Sequence, residues 1–117
     1  MDTVYIPEDL EDSITETRKL FQCPDDIKVI MDYGESTMDM FHHSVGQWMR
    51  NNWGLWTGSR LSKWFNERGI EHADDMSGII LTSFWRRLHD VPLDLANQID
   101  FYQDYWEKQQ PNKEEVK

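Results

Sequence analysis

The sequence predicts an all-α fold, a single bundle of five or six short helices closed around an aromatic core. Three features carry that reading. Apolar residues recur at spacings of three and four along most of the chain, which marks helices with one buried stripe. No stretch alternates with period two, and β-branched residues are scattered, so strands have no support. Proline and glycine fall between the periodic stretches, where they end helices. At 117 residues the chain suits one domain. Residues 1–110 are expected to form it, with PNKEEVK (111–117) as a polar tail.

The first helix is predicted over 7–21: Pro7 suits a first helical position, acids crowd the first turn, and Leu10, Ile14, Thr17 and Phe21 form the stripe. Cys23-Pro24 breaks it. A short second helix over 25–33 would turn Ile27, Ile30 and Met31 inward and end at Gly34. The third, from about Ser36 to Asn52, carries Met38, Phe41, Val45, Trp48 and Met49. Gly46 within it costs about 1 kcal/mol against alanine unless close packing wants it.

An aromatic turn follows, Trp53-Gly54-Leu55-Trp56-Thr57-Gly58. Ser59 reads as the N-cap of a fourth helix that Gly69 closes, with Leu61, Trp64 and Phe65 inward. Asp74 or Asp75 is expected to cap a fifth helix bearing Met76, Ile79, Ile80, Ser83, Phe84 and Leu88, ended by Val91-Pro92. The last helix, about 93–109, has Leu95, Ile99, Tyr102 and Trp106 on one stripe. Trp48, Trp64, Trp85 and Trp106 lie on or beside apolar stripes and are expected in the core. Trp53 and Trp56, in a turn, are the tryptophans expected to reach solvent.

Composition narrows the function. Apolar residues make up 38%, a low share that six Trp, five Phe and four Tyr offset, since each buried ring removes about 150–250 Å² from water. The formal charge is −10. That disfavours nucleic acid, whose phosphates call for Lys and Arg, and anionic membrane surfaces. It suits a basic protein partner or plain solubility. The charge is uneven: residues 1–40 hold 11 acids against Arg18, Lys19 and Lys28, whereas Arg50, Arg60, Lys63, Arg68, Arg86 and Arg87 all fall in 41–91. Cys23 is the only cysteine, so neither an intrachain disulfide nor a cysteine-based zinc site is available. With no secretory or membrane segment in sight, the expected address is the cytoplasm.

The central block is the densest in polar and aromatic residues: Arg50-Asn51-Asn52-Trp53-Gly54-Leu55-Trp56, Ser59-Arg60-Leu61, Trp64-Phe65, Gly69-Ile70 and His72-Ala73-Asp74-Asp75-Met76-Ser77. With these elements the chain resembles a family of small bacterial proteins of unknown function, over about 45–110 and more weakly in the first helix. Ala73 stands where that pattern has proline, which loosens the connection before the fifth helix. The resemblance implies a helical domain of uncharacterised activity and carries over no catalytic residue.

Each candidate in the block has two readings. Arg50 and Arg60 are suited to anchor a carboxylate or other anion, with Asn51 beside them and Trp53 and Trp56 as a stacking surface. Alternatively Arg50 pairs with Asp74 or Asp75, and the asparagines bond the helix end and the turn. His72, Asp74 and Asp75 have the chemistry to share a proton or a ligand, or they simply open a helix whose dipole favours acids. His42 and His43 point about 100° apart on a helix, and no metal site is expected from them or from His89. No P-loop, glycine-rich nucleotide motif or nucleophile elbow is present, so no cofactor and no catalytic residue is assigned. In the acidic N-terminal third, Glu8, Asp9, Glu11, Asp12 and Glu16 form either a solvated surface or a face for a basic protein.

The leading expectation is a non-enzymatic protein-interaction module, of the inhibitor or immunity type, for a basic partner. The alternative is a small-ligand binder or enzyme built on the Arg, Trp, His and Asp residues of 50–77. A nucleic-acid mimic, a third reading, predicts acids spaced along one surface.

Overall fold

The computed structural model describes residues 4–109, so the predicted tail at 111–117 lies outside the described residues. Six α-helices carry the fold, and no strand occurs among the described residues. They are α1 (Leu10–Leu20), α2 (Pro24–Asp32), α3 (Gln47–Asn52), α4 (Arg60–Asn66), α5 (Ala73–Leu88) and α6 (Leu95–Gln109). The all-α expectation holds, with an aromatic cluster at its centre.

α5 is the axis against which every other element packs. Its buried residues run nearly all the way round, from Ala73, Met76 and Ser77 through Ile79, Ile80 and Leu81 to Ser83 and Phe84. A helix buried on all sides is a core helix. Phe84 stacks on Phe21 at 5.3 Å between ring centres, and Phe41 meets Phe21 edge-on at 5.0 Å. Leu61, Phe65 and Ile70 extend the core toward α4. α2 is pinned at its far end: Trp85 donates its indole N–H to the Tyr33 carbonyl at 3.1 Å, and His89 Nε2 lies 2.9 Å from the Ile30 carbonyl oxygen.

Several boundaries differ from those the pattern predicts. α1 starts at Leu10, not at Pro7, because Asp9 is the better cap: its carboxylate accepts the Asp12 N–H at 2.8 Å. α2 ends at Asp32 with extended Tyr33 as its C-cap. Gly34 instead caps the next segment at an ordinary φ of −72°.

The predicted third helix is not one α-helix. A 3-10 stretch (Glu35–Phe41) runs into a π turn (His42–Gly46), and only α3 is α-helical. Gly46 marks the change of winding and makes room for a buried side chain, since a Cβ there would lie 3.1 Å from Arg50 Nη1. α5 is preceded by His72, which makes no side-chain cap. Asp74 and Asp75 sit inside the first turn and do not cap it.

Ser59 does cap α4, accepting the Ser62 N–H. In the turn before it, Gly54 takes φ +65°, and a Cβ there would meet the Ser59 Cβ at 2.8 Å. The break at Val91-Pro92 is flanked by Asp90 and Asp94, both left-handed, at φ 55° and 52°. Arg86 holds the incoming segment by donating to both Glu35 carboxylate oxygens and to the Leu93 carbonyl.

The tryptophans meet the expectation only in part. Trp53, placed in the turn, is buried at 1% exposure, while Trp48 and Trp106 each stand 37% exposed and Trp64 and Trp85 are half-buried. Trp56 is 60% exposed. Trp53 is buried because the turn folds back: Ser59 Oγ donates to its carbonyl at 2.7 Å, and Trp48 packs edge-on against its ring at 5.7 Å.

Candidate functional site at the head of helix α5

The eight central residues singled out from sequence separate into three neighbourhoods. Arg50, His72, Asp74 and Asp75 gather at the N-terminal end of α5. Asn51 and Trp56 meet on the surface turn, where the Trp56 indole N–H donates to Asn51 Oδ1 at 3.2 Å, with Trp53 buried behind. Arg60 joins neither group. It donates through Nε to the Ile6 carbonyl at 2.8 Å, sits over the Tyr5 ring at 5.3 Å and comes within 4.0 Å of Glu8.

Arg50 is a structural strut. It is 5% exposed and ties its own helix to both the π turn and α5. Nη1 donates to Ser77 Oγ at 2.8 Å, Nη2 to the His42 carbonyl at 3.2 Å, and Nε pairs with Asp74 Oδ1 at 3.2 Å. The Ser77 hydroxyl in turn donates a hydrogen bond to the Asp74 carbonyl at 3.0 Å. Of the two partners expected for Arg50, Asp74 is the one it takes. His42 Nε2 stands 4.0 Å from the same carboxylate. Burial, and then the neighbouring guanidinium, hold the His42 imidazole below its usual range, so it does not compete with Arg50 as a cation at neutral pH.

Asp75 faces the other way. It is 9% exposed, and its Oδ2 accepts the Trp106 indole N–H at 2.7 Å. Trp106 in turn lies flat on His72, 3.8 Å between ring centres. Tyr102 completes the group. Its hydroxyl occupies the space that a Cβ on Gly78 would need, 2.7 Å away, so Gly78 is what lets α6 approach. Two clefts open here, of about 250 and 340 Å³, and both are lined by Asp75 and Tyr102. Sequence reasoning missed Trp106 and Tyr102 as site residues and assigned Trp106 to the core. Their shared stripe with Leu95 and Ile99 was the available signal, but nothing in it shows that the stripe ends over a carboxylate.

Burial pushes the Asp75 carboxyl above its ordinary range, opposed by the Trp106 N–H and His72 and reinforced by Asp74. A carboxyl raised in the folded state costs stability whenever it is ionised there. Asp75→Asn keeps an acceptor for Trp106 and removes the buried charge. It is expected to melt above the parent at neutral pH, an advantage that shrinks as pH falls through the raised folded pKa and vanishes near the ordinary value of 3.8. Thermal melts between about pH 7 and about pH 4 check this. A variant melting below the parent at neutral pH would refute it.

The five acids singled out in the N-terminal third have contacts within the chain. Glu11 pairs with Arg87 at 2.7 Å and Glu16 with Lys19 at 2.8 Å. Asp12 accepts from the Tyr5 hydroxyl and the Glu8 N–H, and Asp9 is the cap of α1. Among the described residues no group of three His, Cys, Asp or Glu side chains converges well enough to hold a metal ion. Nor is any helix long and apolar enough to cross a membrane.

Residues 6–88 match a family described as Domain of unknown function (DUF6794). The match covers the first helix and the central block and stops before α6, short of the expected extent to about 110. No curated protein and no solved structure matches the chain.

Proposed function

The chain belongs to the DUF6794 family, matched from Ile6 to Leu88, and we propose that it is a non-enzymatic module that binds a basic protein partner through the outer face of α6. The carrying observation is a pair of rings left in water. Phe101 and Tyr105, one helical turn apart, are 65% and 48% exposed. Asp100 and Asp104 lie beside them on the same helix, and Lys108, the one base of α6, is paired with Asp104 at 2.9 Å.

Aromatic anchors within a charged rim are what protein-binding hot spots use. The negative rim selects a basic, partly apolar segment, and the overall charge of −10 steers such a partner in. This surface suits the role better than α1, which carries acids but no aromatic residue. α6 lies outside the residues matched to the family, so the proposal concerns this chain. An inhibitor or immunity protein for a basic enzyme would bind in this way.

Affinity capture at low and high salt, with the parent and the Phe101→Ala/Tyr105→Ala variant side by side, tests the reading. The expected result is a basic protein held by the parent at low salt, released at high salt, and bound at least about tenfold more weakly by the variant. A partner held equally by both proteins, or none distinguishing them, overturns it. Both rings are exposed, so the variant should keep the parent's melting temperature.

A further inference from the structure

The junction between α5 and α6 turns the chain on aspartates. Elsewhere among the described residues the left-handed positions fall on glycine: Gly54, Gly58 and Gly69, at φ 65°, 83° and 84°. Asp90 and Asp94, at 55° and 52°, are the described residues with a side chain that take a positive φ. A Cβ makes that region costly.

Asp90 is placed to act as a pivot. Its N–H donates to the Arg87 carbonyl at 3.2 Å, and the Val91 N–H donates to the Arg86 carbonyl at 3.0 Å. That pair of bonds puts Asp90 at the helix-ending position that glycine ordinarily fills. Pro92 follows, and the residue before a proline is held to extended backbone. Val91 and Pro92 therefore form a short straight stretch, and the direction in which the chain leaves α5 is decided at Asp90. All three residues are exposed, so no packing opposes a change of angle there.

The seat of α6 lies on α5, a few directed joints before the pivot. Gln98 Nε2 donates to Ser83 Oγ at 3.1 Å, the Trp106 indole N–H to Asp75 Oδ2 at 2.7 Å, and the Tyr102 hydroxyl fills the space beside Gly78. Leu93, just ahead of α6, gives its carbonyl to Arg86. Gln98 is the one buried residue of α6. A helix seated this lightly opens more readily than the core does. Since Asp75, Gly78, Ser83 and Arg86 all belong to α5, the α5 of a second copy offers the same seat.

We infer that α6 is an exchangeable arm: Asp90 leaves the left-handed region, α6 swings off its own α5 and seats on that of a second copy, and the second copy's α6 takes the vacated place. The resulting symmetric dimer repeats the joints of the monomer, so relief at Asp90 stands against the lost freedom of two separate chains. Each chain carries −10, so added salt favours the dimer, the opposite of its effect on a basic partner. Phe101 and Tyr105 keep their outer face in both forms.

The full chain, unfolded in denaturant and refolded at low and at high protein concentration, is sized by chromatography with light scattering. The expected result is a dimer whose share rises with concentration and with salt, at an unchanged circular dichroism spectrum. Asp90→Gly removes the cost of the closed turn and should raise the dimer dissociation constant at least about fivefold. Asp90→Val, branched and disfavoured at positive φ, should lower it at least about fivefold. When isotope-labelled and unlabelled copies are refolded together, filtered NOE spectra should connect Trp106 of one copy with His72 of the other, rings that stack at 3.8 Å in the monomer. A protein that stays monomeric at every concentration overturns the inference. A dimer indifferent to both Asp90 variants does so too, as does one without the Trp106–His72 contact between copies, which marks side-by-side association. Phe101→Ala/Tyr105→Ala should dimerise like the parent; loss of the dimer in that variant would mean that the outer rings join the copies, and would overturn the exchange.

Discussion

Arg50→Ala is expected to destabilise the fold by about 2–4 kcal/mol, lowering the melting temperature on the order of 10–20 °C. The guanidinium joins α3, the π turn and α5 through Ser77, the His42 carbonyl and Asp74, and hydrogen bonds to a charged group contribute about 1.5–3 kcal/mol each before overlap. Its partner should tell a different story. Asp74 is 59% exposed on its side chain but Arg50 is 5% exposed, so Asp74→Ala strips a buried guanidinium of its counter-charge while leaving its two neutral acceptors, and is expected to cost about 1–3 kcal/mol, less than Arg50→Ala. Lysine at position 50 should rescue only partly, since one ammonium cannot reproduce a fork that serves three acceptors on two elements. Denaturant melts of the three variants check the ordering. If Arg50→Ala keeps the parent's stability and loses only a ligand response, Arg50 is a binding residue and the strut reading is wrong.

The readable part of the fold was the part written in local periodicity. Ser59 as a cap, Gly69 as a stop at φ +84° and the stripes of α1 and α5 all follow from residues within a turn or two of each other. The failures share one cause. The segment 35–52 has a regular α-helical apolar spacing, yet it winds as 3-10, π and α because Arg50 needs a way past Gly46 to partners on other elements. Trp53 sits in a turn, but the turn closes over the core. Trp106 looks like a core residue, but it ends over Asp75, 31 positions away in sequence. Pairings of that reach are decided by tertiary packing, which a single sequence does not display. The candidate site was half legible for the same reason. The motif His72-Ala73-Asp74-Asp75 is contiguous, whereas its other wall comes from α6.

α6 is the element on which the proposed docking surface depends. Its inner stripe is only half-buried, although Gln98 is well covered and donates to Ser83 Oγ at 3.1 Å. A helix with one moderately buried face and one exposed aromatic face gains less from the core than α5 does, and is the better placed to gain from a partner.

The two tryptophans of the central turn should separate fold from surface most sharply. Trp53→Ala is expected to cost about 3–5 kcal/mol, because a ring at 1% exposure leaves a cavity that its neighbours cannot fill. The neighbours are constrained: Gly54 is held at positive φ against Ser59, and Ser59 both bonds the Trp53 carbonyl and caps α4. The turn therefore cannot collapse inward without giving up that cap. Trp56→Ala removes only an exposed ring and its bond to Asn51, and is expected to change stability by about 0.5 kcal/mol or less. Urea unfolding of both variants decides the matter. Comparable losses would mean that Trp56 packs more closely than its 60% exposure allows. The expected gap of several kcal/mol would fix Trp53 as the keystone of the turn and leave Trp56 free for contacts outside the chain.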